Sequence, residues 1–457
     1  MTAAAMLSIA LLSAELLTPA AAAKMAADRA EALGPAALTV RWLLLTGGTP
    51  EADAEQVIAL NYLLNCVSRS PTVVRVEADG PLVAIDLARL ADPFALDKSL
   101  AELSEAWERT AVVDPFWHVP TIEAEKKRAA VAGAWCEPDL VRLQKATGSI
   151  GALLRVEWFI GRAGADSLFN LWSGVPATQA EFRKLHGIDD AAIARLAGFS
   201  AANIAISRVT RKPRRLVFAS GPLGPYIFSE DAAADDAASN PFHFPVTDGA
   251  ISTRVDAVEV FALGANAFWR TAIFNGQGAR VDVVPDTIAK NSTSADGIVR
   301  AGMNCVICHT TNAGDAGIAE FDGTQQARLN ARGIYGRADI VGAIVASYSP
   351  ARVKRTVERG QADHHDACEL ATGVDPKTAV SAVAKVYNGY RDGHLTLDLA
   401  ARELGMTPEE FRTTVAKSTD PVVGLLVDGV EITRGAWESS APGVLQVTAK
   451  PTAEPAK

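Results

Sequence analysis

The sequence predicts an α+β protein with a mixed N-terminal module, a β-rich middle and a mainly helical C-terminal region. Three observations carry that reading. Between Ile204 and Val284, short apolar runs are broken by Gly, Pro and Asn turns, the pattern of strands and hairpins. After Pro285, apolar residues recur at helical spacing. Before Gly148 the two patterns alternate. The 457 residues are 49% hydrophobic and 21% charged, which is the composition of a chain that buries cores. The formal net charge of −9 argues against nucleic acid as a partner and is compatible with docking to a basic one.

The first residues form an apolar run, Ala3 to Leu17, followed by Thr18-Pro19 and four alanines before Lys24. Residues 1–23 are therefore expected to be a secretory signal cut after a small-residue site, although no Lys or Arg precedes Lys24 and Glu15 interrupts the run. An Ala-rich first helix of the folded protein is the competing reading. No later run is long and apolar enough to span a bilayer.

Residues 24–135 are expected to form the first module. Leu38 to Leu45 reads as a buried strand. Thr49 caps a helix that Pro50 opens and that carries Val57, Ile58, Leu60, Leu63 and Leu64. Val73 to Val76 and Leu82 to Ile85 read as strands around Asp79-Gly80-Pro81, and Ser99 to Arg109 as a helix with Leu103 and Trp107 inward. Val119 to Trp135 reads as an exposed connector. The β-rich module spans 148–290. In it Thr178 and Glu181 form a capping box, and strands are expected at Ile204 to Val209, Arg215 to Ala219 and Val258 to Leu263. Phe268 to Phe274 and Ala279 to Val284 should flank a hairpin turn at Asn275 to Gly278. Ser229 to Asn240 reads as a solvated acidic loop. Residues 291–440 are expected to be helical, including Ala338 to Ala346, Ala351 to Leu370 and Thr378 to Tyr390, with a second capping box at Thr407 and Glu410. Residues 441–457 read as a disordered tail.

The chemistry lies in Cys305-Val306-Ile307-Cys308-His309. Two thiols three positions apart reach the two vinyl groups on one edge of a haem, and the adjacent histidine can ligate the iron. Thioether bonds hold such a cofactor without a deep pocket. Half a zinc site is the main competitor, but no second Cys or His pair of suitable spacing completes it. A thioredoxin-like dithiol is less apt, because the motif does not follow a strand in a βαβ pattern. The expectation is one covalent haem c, with Cys305, Cys308 and His309 binding the cofactor and its iron. Of the remaining cysteines, Cys66, Cys136 and Cys368, a Cys66–Cys136 disulfide is possible in an oxidising compartment, and buried thiols are the plainer reading.

The sixth iron ligand is less clear from sequence. His243 is the first choice, because Pro241 and Pro245 stiffen its segment and Phe242 and Phe244 offer apolar surface. Met406 is the runner-up. His118, His186, His364, His365 and His394 have plainer roles: His186 ends a helix, where a cation suits the dipole, and His364 and His365 lie on a polar helix stretch that reads as exposed.

The stretch from Arg254 through Thr311 resembles a family of large bacterial mono-haem c-type cytochromes. The matching residues are Glu259-Val260-Phe261-Ala262-Leu263, Asn275 to Asp282, and Gly302-Met303-Asn304-Cys305. Arg41 to Asn65, Arg155 to Phe159 and Leu399 to Gly405 extend the likeness. Leu263-Gly264-Ala265-Asn266-Ala267-Phe268 departs from the family pattern. The resemblance implies a periplasmic haem protein and supplies no substrate. The function expected is electron transfer through a single haem c to a redox partner that the sequence does not name. Alternatives are a peroxidase-like haem enzyme, or a gas-binding sensor with an open sixth position. The lack of a second C-x-x-C-H weighs against di-haem peroxidase chemistry.

Overall fold

The computed structural model describes residues 19–111, 137–151, 153–189, 200–204, 210, 212–234, 239, 254–284, 290, 297–311, 350–404, 406–416 and 418–440. Within them the architecture is α+β. A small mixed sheet and a five-stranded antiparallel sheet are set among helices.

Helix α1 (Pro19–Leu33) runs without a break through the expected signal boundary at Ala23 and Lys24. Ala22, Ala23, Ala26, Ala27 and Ala30 are fully buried, in one cluster with Leu140 and Leu143. Arg142 ties the outside of the same pair of helices to Asp28 and Glu31, each at 2.7 Å. The alanines thus let two helices approach closely, so removal of residues 1–23 would take the first turn of a packed helix.

Strand β1 (Val40–Leu44) is buried along its whole length, as a near-continuous apolar run should be. Helix α2 (Pro50–Val67) starts where expected, with Thr49 Oγ1 accepting from the Ala52 amide at 3.2 Å. Strands β2 (Ala78–Asp79) and β3 (Leu82–Asp86) form the expected hairpin, but Val73 to Val76 is not a strand. Two asparagines of α2 replace the missing ladder. Asn65 donates to the Val74 carbonyl and accepts from its amide, and Asn61 does the same for Val76, at 2.6–2.9 Å. Side-chain amides satisfy that buried backbone, so no partner strand is needed.

Helix α3 (Leu87–Leu90) is a single turn, followed by α4 (Leu96–Ala111) and, beyond the next described break, α5 (Glu137–Thr147). Strand β4 (Leu153–Arg155) then joins β1 in parallel, giving the order β2-β3-β1-β4. Residues on both sides of 112–136 therefore share one sheet. Helices α6 (Val156–Ala163) and α7 (Asp166–Ser173) add Phe159 and Trp172 to Trp107 of α4, with ring centroids 5.3–6.5 Å apart. Both indoles keep a partner: Trp107 donates to the Gly151 carbonyl, and Trp172 to the Thr110 hydroxyl.

Helix α8 (Gln179–Leu185) begins with the expected box, since the Glu181 carboxylate and the Thr178 amide and hydroxyl are mutually bonded. The large sheet follows, built from β5 (Ser200–Ile204), β6 (Arg214–Gly221), β7 (Gly224–Ala232), β8 (Val255–Leu263) and β9 (Trp269–Asn275) in sequence order. Two expectations fail here. Ser229 to Ala232 is the end of β7, not a solvated loop, and its acids are buried against arginines of β6. Arg214 meets Asp231 at 2.6 Å, and Arg215 stands opposite Glu230 in the register. The second leg of the Asn275–Gly278 turn makes isolated bridges, Arg280 to Phe274 and Ala279 to Thr178, before β10 (Val283–Val284) pairs with β11 (Val299–Arg300).

Helix α9 (Met303–Thr311) comes next. Beyond the undescribed 312–349, α10 (Pro350–Thr372) and α11 (Pro376–Asp392) form a helical hairpin against α2. The chain ends in β12 (His394–Leu395), α12 (Leu397–Glu403), α13 (Pro408–Val415), α14 (Pro421–Val427), β13 (Ile432–Thr433) and a last helix over 434–440. A buried ion network fastens this end to the first sheet. Arg155 of β4 meets Glu403 at 2.9 Å and Glu157 at 3.6 Å, while Arg434 and the Trp437 indole also bind Glu403. None of the described helices is long and apolar enough to cross a membrane.

Candidate haem-attachment site

Gly302 sets the start of α9. Its φ of +109° is glycine territory, and a Cβ there would lie 2.5 Å from the Gly164 carbonyl and 2.7 Å from the Phe169 ring. That close approach lets Ala165 bridge to Gly302 and the Met303 amide donate to the Gly164 carbonyl at 2.8 Å. The helix then divides its residues between two surroundings. Met303, Val306 and Ile307 enter the helical core with Tyr387 of α11, whose hydroxyl donates to Asn304 at 3.0 Å. Cys305 turns instead to the large sheet.

Strand alternation gives that sheet two distinct faces. Leu216, Phe218, Ile227, Phe261, Leu263, Trp269 and Ile273 lie on the face toward Cys305. Ser229 and Glu259 share that side by register, as do Arg214 and Asp231. The His309 ring packs on Phe261, with centroids 4.3 Å apart. Its Nε2 lies 3.6 Å from the Glu259 carboxylate. Arg214, Ile227, Phe228, Ser229, Glu259, Phe261 and His309 line a small open recess.

The electrostatics of the motif are specific. Burial, then the anionic Glu259 beside it, pushes the Cys305 thiol well above the ordinary thiol range. Burial alone would raise the Glu259 carboxyl, but the His309 imidazole and the Arg214 guanidinium outweigh it and hold it down at about 2. Cys305 and Cys308 are not bridged to each other, and neither are Cys66 or Cys368. Cys136, the other half of the Cys66–Cys136 possibility, lies outside the described residues.

The structure brings together Cys305, Cys308 and His309, and places His186, His364, His365 and His394 elsewhere. His243 and His118 lie outside the described residues. His186 is buried on the opposite face of the sheet against Phe182 and Tyr226, where burial and then Arg270 push it down to about 3. It is a neutral core imidazole, not the helix-end cation expected. His364 is also buried rather than exposed. Its Nδ1–H donates to the Ala267 carbonyl at 3.1 Å, so Nε2 accepts from the Tyr62 hydroxyl at 3.2 Å. Both nitrogens are thereby engaged, and burial lowers the group to about 4. His394 is exposed. Met406 packs against the cluster of α1 and α12, apart from the one that holds Cys305. Among the described residues no group of three or more His, Cys, Asp or Glu side chains is disposed to hold a metal ion.

Sequence reasoning passed over Glu259 as a functional residue, although it lay within the quoted stretch. Its signal was a single acid within Val258-Glu259-Val260-Phe261, a run otherwise suited to burial on both faces. No family model, no curated protein and no solved structure matches the chain.

Proposed function

We propose that this chain is an exported c-type cytochrome that carries one haem on Cys305 and Cys308, with His309 as the first iron ligand, and transfers electrons to a partner protein. The observation that carries the reading is the placing of these residues. Cys305 and Cys308 stand one turn apart on α9, and His309 follows them into a cleft floored by Phe261 and Ile227. Such a group, when bound, supplies a one-electron couple, and the protein's part is to fix its ligands, burial and hydrogen bonding.

The competing dithiol reading fits less well. A thiol–disulfide oxidoreductase needs an exposed cysteine of lowered pKa. Cys305 is buried with its thiol raised, the opposite of that requirement. A zinc site would need further ligands that the described residues do not bring to α9. The recess beside His309 is far smaller than the roughly 300–1,000 Å³ of ordinary small-molecule sites, and covalent attachment does not need a deep one.

His243 is the sixth ligand in this proposal. The chain leaves β7 at Ala232 and re-enters β8 at Val255, at the end of the sheet where Arg214 and Asp231 stand. Met406 packs in the other core.

The test is covalent haem on protein purified from its native host or from a host with haem-attachment machinery. Haem should stay with the polypeptide through denaturation and acid–acetone extraction. Cys305→Ala with Cys308→Ala should abolish retention, and haem that extracts from the wild type overturns the proposal. A low-spin visible spectrum is expected, turning high-spin in His243→Ala. If Met406→Ala makes that change instead, methionine replaces His243 as the ligand. A high-spin wild type would point to a sensor or catalyst. Mass spectrometry of the exported protein should find its start near Lys24. Retention of residues 19–23 would instead keep α1 whole.

A further inference from the structure

Tyr62 of α2 and His364 of α10 form a hydrogen-bonded pair deep in the helical core, with side chains almost wholly buried. The direction of the bond is fixed. The Ala267 carbonyl can only accept, so it takes the Nδ1 proton of His364 at 3.1 Å, and Nε2 is left to accept from the Tyr62 hydroxyl at 3.2 Å. That carbonyl is itself held in place. Ala267 has a φ of +60°, a left-handed conformation that is costly for a residue with a Cβ and that the surrounding structure must impose. Beside it, Asn266 donates to the Asn65 carbonyl of α2 at 2.9 Å and accepts from the Phe268 amide at 3.3 Å. A strained turn, stitched to α2, thus aims its carbonyl at the imidazole of α10.

The surroundings set this tyrosine apart. Cys66 and Cys368, one turn further along the two helices, are kept as neutral thiols by burial. Tyr387 and Tyr390 sit differently. Tyr387 donates to the Asn304 amide oxygen, which is no base, with Arg391 5.5 Å from its ring. Tyr390 donates to Glu438, but the Arg434 guanidinium lies over its ring at 4.7 Å. A cation on the ring opposes loss of an electron. Tyr62 combines a basic partner with neutral neighbours.

We propose that Tyr62 is a buried one-electron donor whose hydroxyl proton passes to His364 as the electron leaves. The Tyr62 O–H bond breaks, an N–H bond forms at His364 Nε2, and one electron goes to a strong outer-sphere one-electron oxidant. The products are a neutral phenoxyl radical and an imidazolium whose Nδ1–H stays on the Ala267 carbonyl. A phenol radical cation left unrelieved in so dry a place would be costly, so electron and proton move together. Return of one electron sends the proton back and restores the pair. The pair stands on α2, α10 and the turn before β9, and it does not depend on the haem reading.

The test oxidises the full chain with photogenerated ruthenium(III) tris(bipyridine) and reads the EPR spectrum and the oxidation rate. The wild type should give a phenoxyl signal that narrows when its tyrosines carry ring deuterium, with a gx value lowered by the imidazolium hydrogen bond. Its oxidation should slow after equilibration in deuterium oxide. Tyr62→Phe should lose the signal. His364→Gln should keep the phenol but slow its oxidation, shift gx and lose the deuterium effect. A wild type without a phenoxyl signal overturns the proposal, as does an undiminished signal in Tyr62→Phe. A wild-type rate and gx in His364→Gln overturn it equally, because a merely structural hydrogen bond would leave both unchanged. Should His364→Gln not fold, the wild type decides alone: a rate indifferent to deuterium, with the gx of a phenoxyl that accepts no hydrogen bond, overturns it.

Discussion

The two faces of the five-stranded sheet bury charge in different ways. On the face toward α8, Arg215 and Glu230 stand opposite each other across β6 and β7, while Val217, Tyr226, Phe228, Val260 and Phe274 close around Phe182. Arg183 of α8 and Arg270 of β9 add cations beside Glu230 and His186 on that face. On the face toward α9, Arg214 is committed to Asp231, yet a third charge, Glu259, finds its partner in His309 from outside the sheet. One face draws its charges from the sheet and α8 together, and the other sets a carboxylate against the motif helix. Buried charge that a fold's own packing does not require marks a functional surface more reliably than burial itself.

If that contrast holds, damage to the α8 face should cost stability and spare the proposed haem. Phe182 is fully buried, with Tyr226 at 6.2 Å and Phe274 at 5.9 Å between ring centroids. Phe182→Ala should destabilise the protein by about 3–5 kcal/mol, the usual cost of emptying an aromatic site. Urea unfolding measures it. The visible spectrum and reduction potential of the folded fraction should match the wild type, and a shifted potential would break the separation between the faces.

Acid should act more gently, through both faces at once. His186 and His364 are held neutral, at about 3 and about 4 against an ordinary 6.5. The unfolded chain therefore binds more protons than the folded one below about pH 6.5. Stability is full above that pH and is lost as pH falls toward the folded values. Between about pH 6.5 and about pH 5 each histidine should cost roughly 2 kcal/mol. Urea midpoints near pH 7.5 and near pH 5 should differ accordingly, and His186→Leu should flatten the dependence. A profile equally steep in His186→Leu would mean that the imidazole is not neutral in the fold.

Contiguity decided what the sequence revealed. Cys305, Cys308 and His309 lie together in the chain, so the motif could be proposed as a unit without a fold. Glu259 reaches them only because β8 lies under α9, and no local pattern announces that. Helix starts at Thr49, Thr178 and Thr407 were legible because capping is settled within four residues. Strand β7 was hidden because Ser229-Glu230-Asp231 reads as polar until Arg214 and Arg215 are set opposite it. Val73 to Val76 erred in the other direction: its β-branched residues suit a strand, but Asn61 and Asn65 already occupy the backbone groups that a strand would offer. His364 was misjudged from its polar neighbours, because its two partners, Tyr62 and the Ala267 carbonyl, come from far away in the chain.

The smallest expected effect gives the finest measure of how independent the two faces are. Thr178 caps α8, the helix that closes the face away from α9, through an exposed box in which Thr178 Oγ1 accepts from the Glu181 amide at 3.3 Å. Thr407 caps α13 in the same way, accepting from the Glu410 amide at 3.2 Å, but α13 packs in the second core away from the large sheet. The chemistry of the two caps is alike, so Thr178→Ala and Thr407→Ala should each cost about 1 kcal/mol in urea unfolding. What separates them is what each helix presses on. Thr178→Ala loosens the helix that carries Phe182, one sheet thickness from Glu259, whereas Thr407→Ala loosens nothing near it. If the sheet insulates its faces, both variants will keep the wild-type reduction potential while losing the same stability. A potential that moves in Thr178→Ala and not in Thr407→Ala would show that strain crosses the sheet, and that the packing of α8 helps to set where Glu259 stands.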